Sequence, residues 1–257
     1  MVIFMSKPKI LVARGVFPEV ISRLEQYFEV EGNPGDVVWS KAELTARRIT
    51  ESEHYLRAGK WTKWSVDMLA GADIHGTTLG ILGMGRIGQG IARRGALGFG
   101  MKVIYHNRSR LDTAMEAECK AAYVGKDELL RTADHLVLVL PYSSATHHSI
   151  GAAELTMMKP TATLVNIARG GIVDDAALAA ALNKRVIAGA GLDVFEGEPK
   201  IHPDLLTVPN VVLTPHIGSA TLRTRLAMAH LAADNLITFF SGKRPPTPVN
   251  PLVIATK

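Results

Sequence analysis

From residue 77 onward, short apolar runs alternate with stretches patterned every three to four residues. The runs at 79–82, 101–106, 121–124, 134–140, 162–167, 186–194 and 211–214 predict strands. Between them, helical spacing is expected just after residue 85, with Ile87, Ile91 and Ala92 on one face, and at 113–119, 127–131, 152–158 and 174–182. A long amphipathic helix follows at 219–240. The strands are apolar throughout rather than alternating. That is the pattern of a parallel sheet buried on both faces by helices, an α/β doubly wound fold.

The first 76 residues are less regular. Residues 9–13 and 28–31 predict two strands around a helix at 18–27, where Val20, Ile21 and Leu24 share a face behind Pro18. A Gly32-Asn33-Pro34-Gly35 turn closes the second strand. Ser40 and Glu43 have capping-box spacing, and the helical pattern then runs without glycine or proline to Ala58, where Gly59 ends it. Trp64 and Met68 sit on a less regular segment, and a proline-rich surface tail is expected at 244–251.

Composition narrows the function. With 257 residues, 47% of them hydrophobic, the chain can hold one large or two modest domains. No apolar run reaches the roughly 18 residues of a membrane helix, and the first six residues are too short for a signal-peptide core. A single cysteine, Cys119, cannot form an internal disulfide, which fits a reducing cytoplasm. The net charge of +5 is scattered, with no zinc-finger spacing and no basic groove-reading helix, so nucleic acid is not an expected partner. The mild positive field would gather an anionic cofactor or substrate. His147 and His148 have no cysteine or carboxylate at ligand spacing along the chain, so no metal site is assigned.

The chemistry starts at Gly83-Met84-Gly85-Arg86-Ile87-Gly88, between a predicted strand and a predicted helix. In a dinucleotide site Gly83 makes the tight turn, Gly85 lets backbone N–H groups approach a pyrophosphate, and Gly88 lets the helix pack on the strand. The second strand of such a unit usually closes on an acid that binds the ribose 2′-OH. Here it runs into Asn107, Arg108 and Ser109, with no acid before Asp112. Two donors and a guanidinium suit a 2′-phosphate, so NADP(H) is expected, with NAD(H) bound more weakly. Three later strand ends carry Arg169, Glu196 and Glu198, and His216. An arginine can polarise a keto-acid carbonyl, and a histidine can supply the proton while a carboxylate fixes its tautomer. Spacing alone does not choose between Glu196 and Glu198.

Residues 47–221 resemble the D-isomer-specific 2-hydroxyacid dehydrogenase family, most closely its glyoxylate/hydroxypyruvate reductase branch. The resemblance rests on Leu-Gly-Ile-Leu-Gly-Met-Gly-Arg-Ile-Gly, Asn-Ile-Ala-Arg-Gly-Gly-Ile-Val-Asp, Gly-Leu-Asp-Val-Phe-Glu-Gly-Glu-Pro and Thr-Pro-His-Ile-Gly-Ser-Ala-Thr. It implies a catalytic set of Arg169, Glu198 and His216. It implies cofactor contacts at Gly83, Met84, Gly85, Arg86, Ile87, Gly88, Leu140, Pro141, Thr146, Ile167, Ala168, Arg169, Asp193, His216 and Gly218, with Asn107, Arg108 and Ser109 at the 2′-phosphate. It further implies a small 2-keto or 2-hydroxy acid as substrate and a homodimer whose arm includes residues 57–61.

The resemblance also exposes a gap. Family members carry further strands and a glycine-containing carboxylate loop where residues 42–45 here run straight into 46–49. The expected organisation is a nucleotide-binding domain at 47–227 and a shortened substrate domain at 1–46 plus 228–257. Two functions follow as expectations: NADPH-dependent reduction of glyoxylate or hydroxypyruvate, or a dinucleotide-binding module without turnover.

Overall fold

A computed structural model of the chain describes Lys9–Val12, Glu29–Gly32 and residues 45–249. The helix at 18–27, the 32–35 turn and the capping box at 40–43 lie outside those residues, apart from Gly32. The chain divides into two compact units, Met1–Leu213 and Thr214–Lys257.

In the first unit, β1 (Lys9–Val12) and β2 (Glu29–Gly32) pair in parallel as a two-stranded sheet. Seven further strands form one parallel sheet. They are β3 (Thr78–Leu82), β4 (Lys102–His106), β5 (Ala121–Tyr123), β6 (His135–Leu138), β7 (Thr163–Asn166), β8 (Gly189–Leu192) and β9 (Val211–Leu213). The helices are α1 (Ile49–Arg57), α2 (Arg86–Gly98), α3 (Thr113–Cys119), α4 (Lys126–Thr132), α5 (Ala152–Met157) and α6 (Asp175–Asn183).

The strand order is β5-β4-β3-β6-β7-β8-β9. The chain leaves β3 toward one edge and crosses back to β6 to build toward the other. A crevice therefore opens at the carboxyl ends of β3 and β6, where doubly wound sheets bind ligands. Strand side chains alternate between two cores. Leu136, Leu138 and Leu164 pack with Leu129, Leu155, Leu178 and Leu182 on one face. Ile81, Tyr105, Val137 and Val165 pack with Ala92 and Met101 on the other. Burial on both faces explains the unbroken apolar runs.

Three local expectations are corrected. The helical pattern that reads unbroken to Ala58 is interrupted at Arg47 and Arg48, and α1 begins only at Ile49. The Ala46 carbonyl accepts from Ala72 N–H at 2.9 Å instead of continuing the helix. Arg48 turns left-handed at φ 54, and its guanidinium closes on Glu51 at 2.6 and 2.8 Å. Second, Ile87 is 67% exposed, and the buried face of α2 is Gly88, Ala92 and Gly95. The helix lies on β3 along its glycines, where a Cβ on Gly95 would come within 2.6 Å of Leu79 Cδ2. Third, the strand expected at 186–194 shortens to Gly189–Leu192, because Val186 N–H donates to Ala181 O in the turn closing α6. A 3₁₀ turn at Pro203–Leu206, which buries Leu205, has no counterpart in the expected elements.

In the second unit, α7 (Leu222–Phe240) is capped by Thr221, whose hydroxyl accepts from Thr224 N–H at 3.1 Å. The tail that follows is tied to α7 by Asn235, which bonds Thr247 through both amide atoms at 2.8 and 2.9 Å. Among the described residues no helix is long and apolar enough to cross a membrane.

One buried group at the amino ends of the strands makes stability depend on pH. His135 is 1% exposed; its Nε2 lies 3.3 Å from Asp73 O and its Nδ1 2.8 Å from Thr163 Oγ1. A carbonyl can only accept, so Nε2 carries the proton and the Thr163 hydroxyl donates to Nδ1. Burial holds this imidazole below its ordinary value of 6.5, against the opposing pull of Asp73 O and Asp134. Below that value the unfolded chain takes up a proton that the fold resists. Stability is therefore full above about pH 6.5 and falls as pH drops, by up to about 1.4 kcal/mol per pH unit. Urea unfolding at pH 7.5 and 5.5 should show this loss, and a His135→Gln variant should lose less between the same two values.

Candidate active site

The glycine loop sits at the crevice. Leu82 ends β3, and Gly83 follows at φ +103 with its N–H donating to His106 O at 2.9 Å. A Cβ there would lie 2.9 Å from the carbonyl of Val139, the residue just past β6. Gly83 is thus wedged at the point where the strand order reverses. Gly85 caps α2, and a Cβ on it would meet nothing within 4 Å. A Cβ on Gly88 would come within 2.3 Å of Gly83 O. The first glycine serves the turn, the last serves packing, and the middle one faces open space beside the helix N-terminus. That arrangement fits a pyrophosphate held by backbone N–H groups and by the positive end of the helix. Met84 is buried in the core, while Arg86 is exposed.

Beyond β4, Asn107 Nδ2 donates to Ser109 O at 3.1 Å, which curls the loop. Arg108 and Ser109 are exposed, and Arg108 makes no ion pair among the described residues. Arg110, by contrast, is committed. Its guanidinium grips Glu116 at 2.8 and 2.9 Å, and Glu116 also accepts from Tyr105 Oη at 2.8 Å. Tyr105 Oη in turn accepts from Leu111 N–H at 2.8 Å, which pins the base of the loop. Burial, reinforced by Glu116, pushes the Tyr105 hydroxyl up to about 12, so it stays a donor throughout the physiological range.

Two strand ends meet across the groove. After β7, Asn166 Oδ1 accepts from Ala168 N–H at 3.1 Å and its amide donates to Arg169 O at 3.3 Å. This folds Ile167, Ala168 and Arg169 over the strand end and leaves the Arg169 side chain exposed. After β8, Asp193, Val194 and Phe195 are buried, and Glu196 to Glu198 emerge. Glu198 Oε1 accepts from Phe195 N–H at 2.9 Å, while Glu196 N–H donates to Asp175 Oδ2 at 3.0 Å. The two segments touch at backbone level, since a Cβ on Gly170 would sit 1.7 Å from Phe195 O.

A groove of about 800 Å³ runs between these segments. Of the residues expected in the site, it brings together Ile87, Leu140, Pro141, Ile167, Ala168, Arg169 and Glu198. The glycines, Met84, Arg86, Asn107, Arg108, Ser109, Thr146 and Asp193 are not among its walls. Thr146 closes the adjoining turn by donating to Pro141 O at 2.9 Å. His216 and Gly218 belong to the second unit, where His216 takes φ 50 and its N–H donates to Thr214 O at 3.0 Å. The groove also takes walls that the sequence reading does not name: Val139 and Tyr142. Tyr142 follows Leu140 and Pro141 off the end of β6, a position that could have flagged it. A second hollow, of about 550 Å³, is lined by Thr45, Arg48, Glu51, Arg185 and Asn210. It borders the amino ends of β7 and β8, away from the crevice.

The fold supplies the histidine pair with the carboxylate that its sequence neighbours lack. His147, His148 and Glu196 each place one ligand atom within 4.8 Å of the others. The two rings stack, with centroids 3.8 Å apart and planes 21° off parallel, so their in-plane lone pairs do not converge. Ligand atoms around a zinc ion at about 2.1 Å would lie about 3.4 Å apart. His148 Nε2 already meets Glu196 Oε2 at 2.9 Å.

Residues 43–218 match the family model described as D-isomer specific 2-hydroxyacid dehydrogenase, NAD binding domain. The chain belongs to the D-isomer specific 2-hydroxyacid dehydrogenase family. Within this dehydrogenase family it is 49% identical over 226 residues to a glyoxylate reductase of Thermococcus gammatolerans, covering 86% of this chain and 67% of the relative. A glyoxylate reductase of Thermococcus onnurineus is 51% identical over 219 residues, covering 84% and 65%. The chain thus spans about two thirds of the length of these relatives. Among solved structures, an NADPH-dependent glyoxylate/hydroxypyruvate reductase of Sinorhizobium meliloti, in complex with NADP and malonate, superposes with a TM-score of 0.73. It is 30% identical, and the match covers 95% of this chain and 97% of that one. A glyoxylate reductase of a Paecilomyces species gives 0.73 at 36% identity, covering 94% and 75%. The resemblance carried by the four motifs is borne out.

Proposed function

We propose that the chain carries the cofactor and catalytic half of an NADPH-dependent reductase of small 2-keto acids, with glyoxylate and hydroxypyruvate as substrates. The observation that carries this reading is the groove at the switch point, where Arg169 and Glu198 come from two strand ends locked backbone to backbone. Bound at this site, NADPH would supply the hydride. The exposed Arg169 guanidinium holds the substrate carboxylate and polarises its carbonyl. His216 is assigned as the donor of the proton that the new alkoxide needs, and Glu198 as the carboxylate of the catalytic set. Gly85 and the first turn of α2 hold the pyrophosphate. Met84, Arg86, Ile87, Leu140, Pro141, Thr146, Ile167, Ala168, Asp193 and Gly218 are assigned as further cofactor contacts.

We assign NADP preference to Asn107, Arg108 and Ser109. Arg110 is held by Glu116, which leaves Arg108 as the loop cation open to a 2′-phosphate. Replacing Arg108 with alanine should weaken NADPH binding about tenfold or more and leave NADH binding within about twofold, read by fluorescence titration. Equal losses for both cofactors would remove the assignment.

Residues 1–46 and 228–257 are read as the shortened substrate lobe and 47–227 as the nucleotide-binding domain. The active form is read as a cytoplasmic homodimer. A second reading rests on the carboxylate loop that the resemblance implies where residues 42–45 run straight into 46–49: a module that binds the dinucleotide without turning over.

NADPH oxidation followed at 340 nm with glyoxylate and with hydroxypyruvate separates the two, with NADH and a His216→Ala variant run alongside. Turnover that needs His216 supports the reductase. Tight NADPH binding without turnover leaves the module, and no binding at all removes both.

A further inference from the structure

The turn that carries Glu198 is held from outside by two residues that take no part in the proposed chemistry. Asp175 is the first residue of α6 and is 4% exposed. It does not cap the helix, because Asp174 does so by accepting from Ala177 N–H at 2.9 Å. Among the described residues its one hydrogen bond comes from Glu196 N–H, at 3.0 Å. Burial pushes the Asp175 carboxyl up, as do Glu196 and Asp174, while the Glu196 N–H and His202 draw it down. A buried carboxylate facing two other acids is a costly way to make one hydrogen bond. What it gains is a fixed backbone at Glu196.

The side chain of the same glutamate is held from the other direction. His148 Nε2 meets Glu196 Oε2 at 2.9 Å, and its Nδ1 lies 3.9 Å from Asp174 Oδ2. The His148 backbone is itself fixed, at φ 48, by N–H donation to Gly171 O at 2.7 Å. Its ring stacks on His147, whose Nδ1 lies 3.2 Å from Tyr142 Oη. Glu196 is therefore gripped through backbone and carboxylate by α6 and by the loop after β6. One residue before it, Phe195 N–H holds the Glu198 carboxylate at 2.9 Å.

We propose that Asp175 and His148 are positioning residues that fix Phe195 and Glu196 against Gly170 and so set the orientation of the Glu198 carboxylate in the groove. This rests on the catalytic reading of Glu198 given above. Asn at 175 keeps an acceptor oxygen and Ala does not, which separates placement from packing.

The test uses the full chain with Asp175→Ala, Asp175→Asn and His148→Ala, each also combined with Glu198→Gln. Asp175→Ala should lower kcat for glyoxylate about tenfold or more, with KM and the NADPH Kd within about threefold, and Asp175→Asn should recover most of the loss. Combined with Glu198→Gln, Asp175→Ala should cost less than about twofold further, because the two act through one carboxylate. Amide hydrogen exchange is read in every variant. The Phe195 and Glu196 amides should exchange about tenfold faster in Asp175→Ala and His148→Ala, but not in Asp175→Asn. Additive losses in kcat, or a loss confined to KM or Kd, would overturn the proposal. So would unchanged exchange at Phe195 and Glu196. A wild-type chain without turnover would remove the reductase reading alone, and the exchange data would then decide on the clamp. If Asp175→Ala does not fold, His148→Ala carries the same measurements.

Discussion

Gly170→Ala is expected to lower kcat/KM for glyoxylate by about a hundredfold or more, since displacements near an ångström at reacting groups cost on that order. A Cβ at this position would lie 1.7 Å from Phe195 O, 2.3 Å from Phe195 C and 2.8 Å from Glu196 N. All three are backbone atoms, so no side chain can swing aside. The segments after β7 and β8 must part by more than an ångström to reach ordinary contact. Arg169 immediately precedes the substitution, and Glu198 follows Phe195 by three residues, so the separation moves both groups of the proposed chemistry. The glycine loop lies on β3 and α2, away from the collision, and NADPH binding should stay within a few-fold. A variant with near wild-type kcat/KM would show that the two segments need not touch for the site to work.

Gly88→Ala and Gly85→Ala are expected to fail in opposite ways, although both sit in the same six-residue motif. A Cβ on Gly88 would meet Gly83 O at 2.3 Å, so α2 must move off β3. Overpacking of this kind costs roughly 1–3 kcal/mol. For a domain of this size that is a melting temperature lower by about 2–12 °C, with weaker NADPH binding as a consequence of the displaced helix. A Cβ on Gly85 would meet nothing within 4 Å, so thermal unfolding should be unchanged. Its methyl would instead occupy the space through which backbone N–H groups reach a pyrophosphate, and binding should fall about a hundredfold. Differential scanning calorimetry with NADPH titration reads both. Loss of melting temperature in Gly85→Ala, or none in Gly88→Ala, would reverse the roles given to the two glycines.

Much of the nucleotide half was legible from residue order. An apolar run, three glycines and an amphipathic stretch predict strand, turn and helix, and α3 is found at the expected 113–119. These signals are local: a strand buried on both faces is apolar throughout, and a capped helix repeats every three to four residues. Where the pattern misled, the cause was a contact. Ile87 reads as part of the buried face of α2 but is exposed, because that helix lies on β3 along Gly88 and Gly95, and glycine carries no hydrophobic signal. The pattern up to Ala58 contains nothing to predict the break at Arg47 and Arg48, since Ala46 O is drawn off by Ala72, 26 residues downstream. Asp175 likewise reads as an ordinary first-turn acid beside Asp174 until the fold lays Glu196 across it.

By itself the sequence determined that this protein has a parallel sheet with a dinucleotide turn, and its motifs determined the family. Periodicity and short motifs record how each segment is buried and which backbone turns it needs. The tertiary structure alone decided which strand ends become neighbours, because the crossover from β5 back past β4 and β3 sets β6 beside β3, and β7 and β8 are then added side by side beyond the switch point. That adjacency wedges Gly170 against Phe195, puts Arg169 and Glu198 in one groove, and gives Asp175 and His148 a shared hold on Glu196. No spacing along the chain encodes it, since these contacts join segments 21 to 48 residues apart.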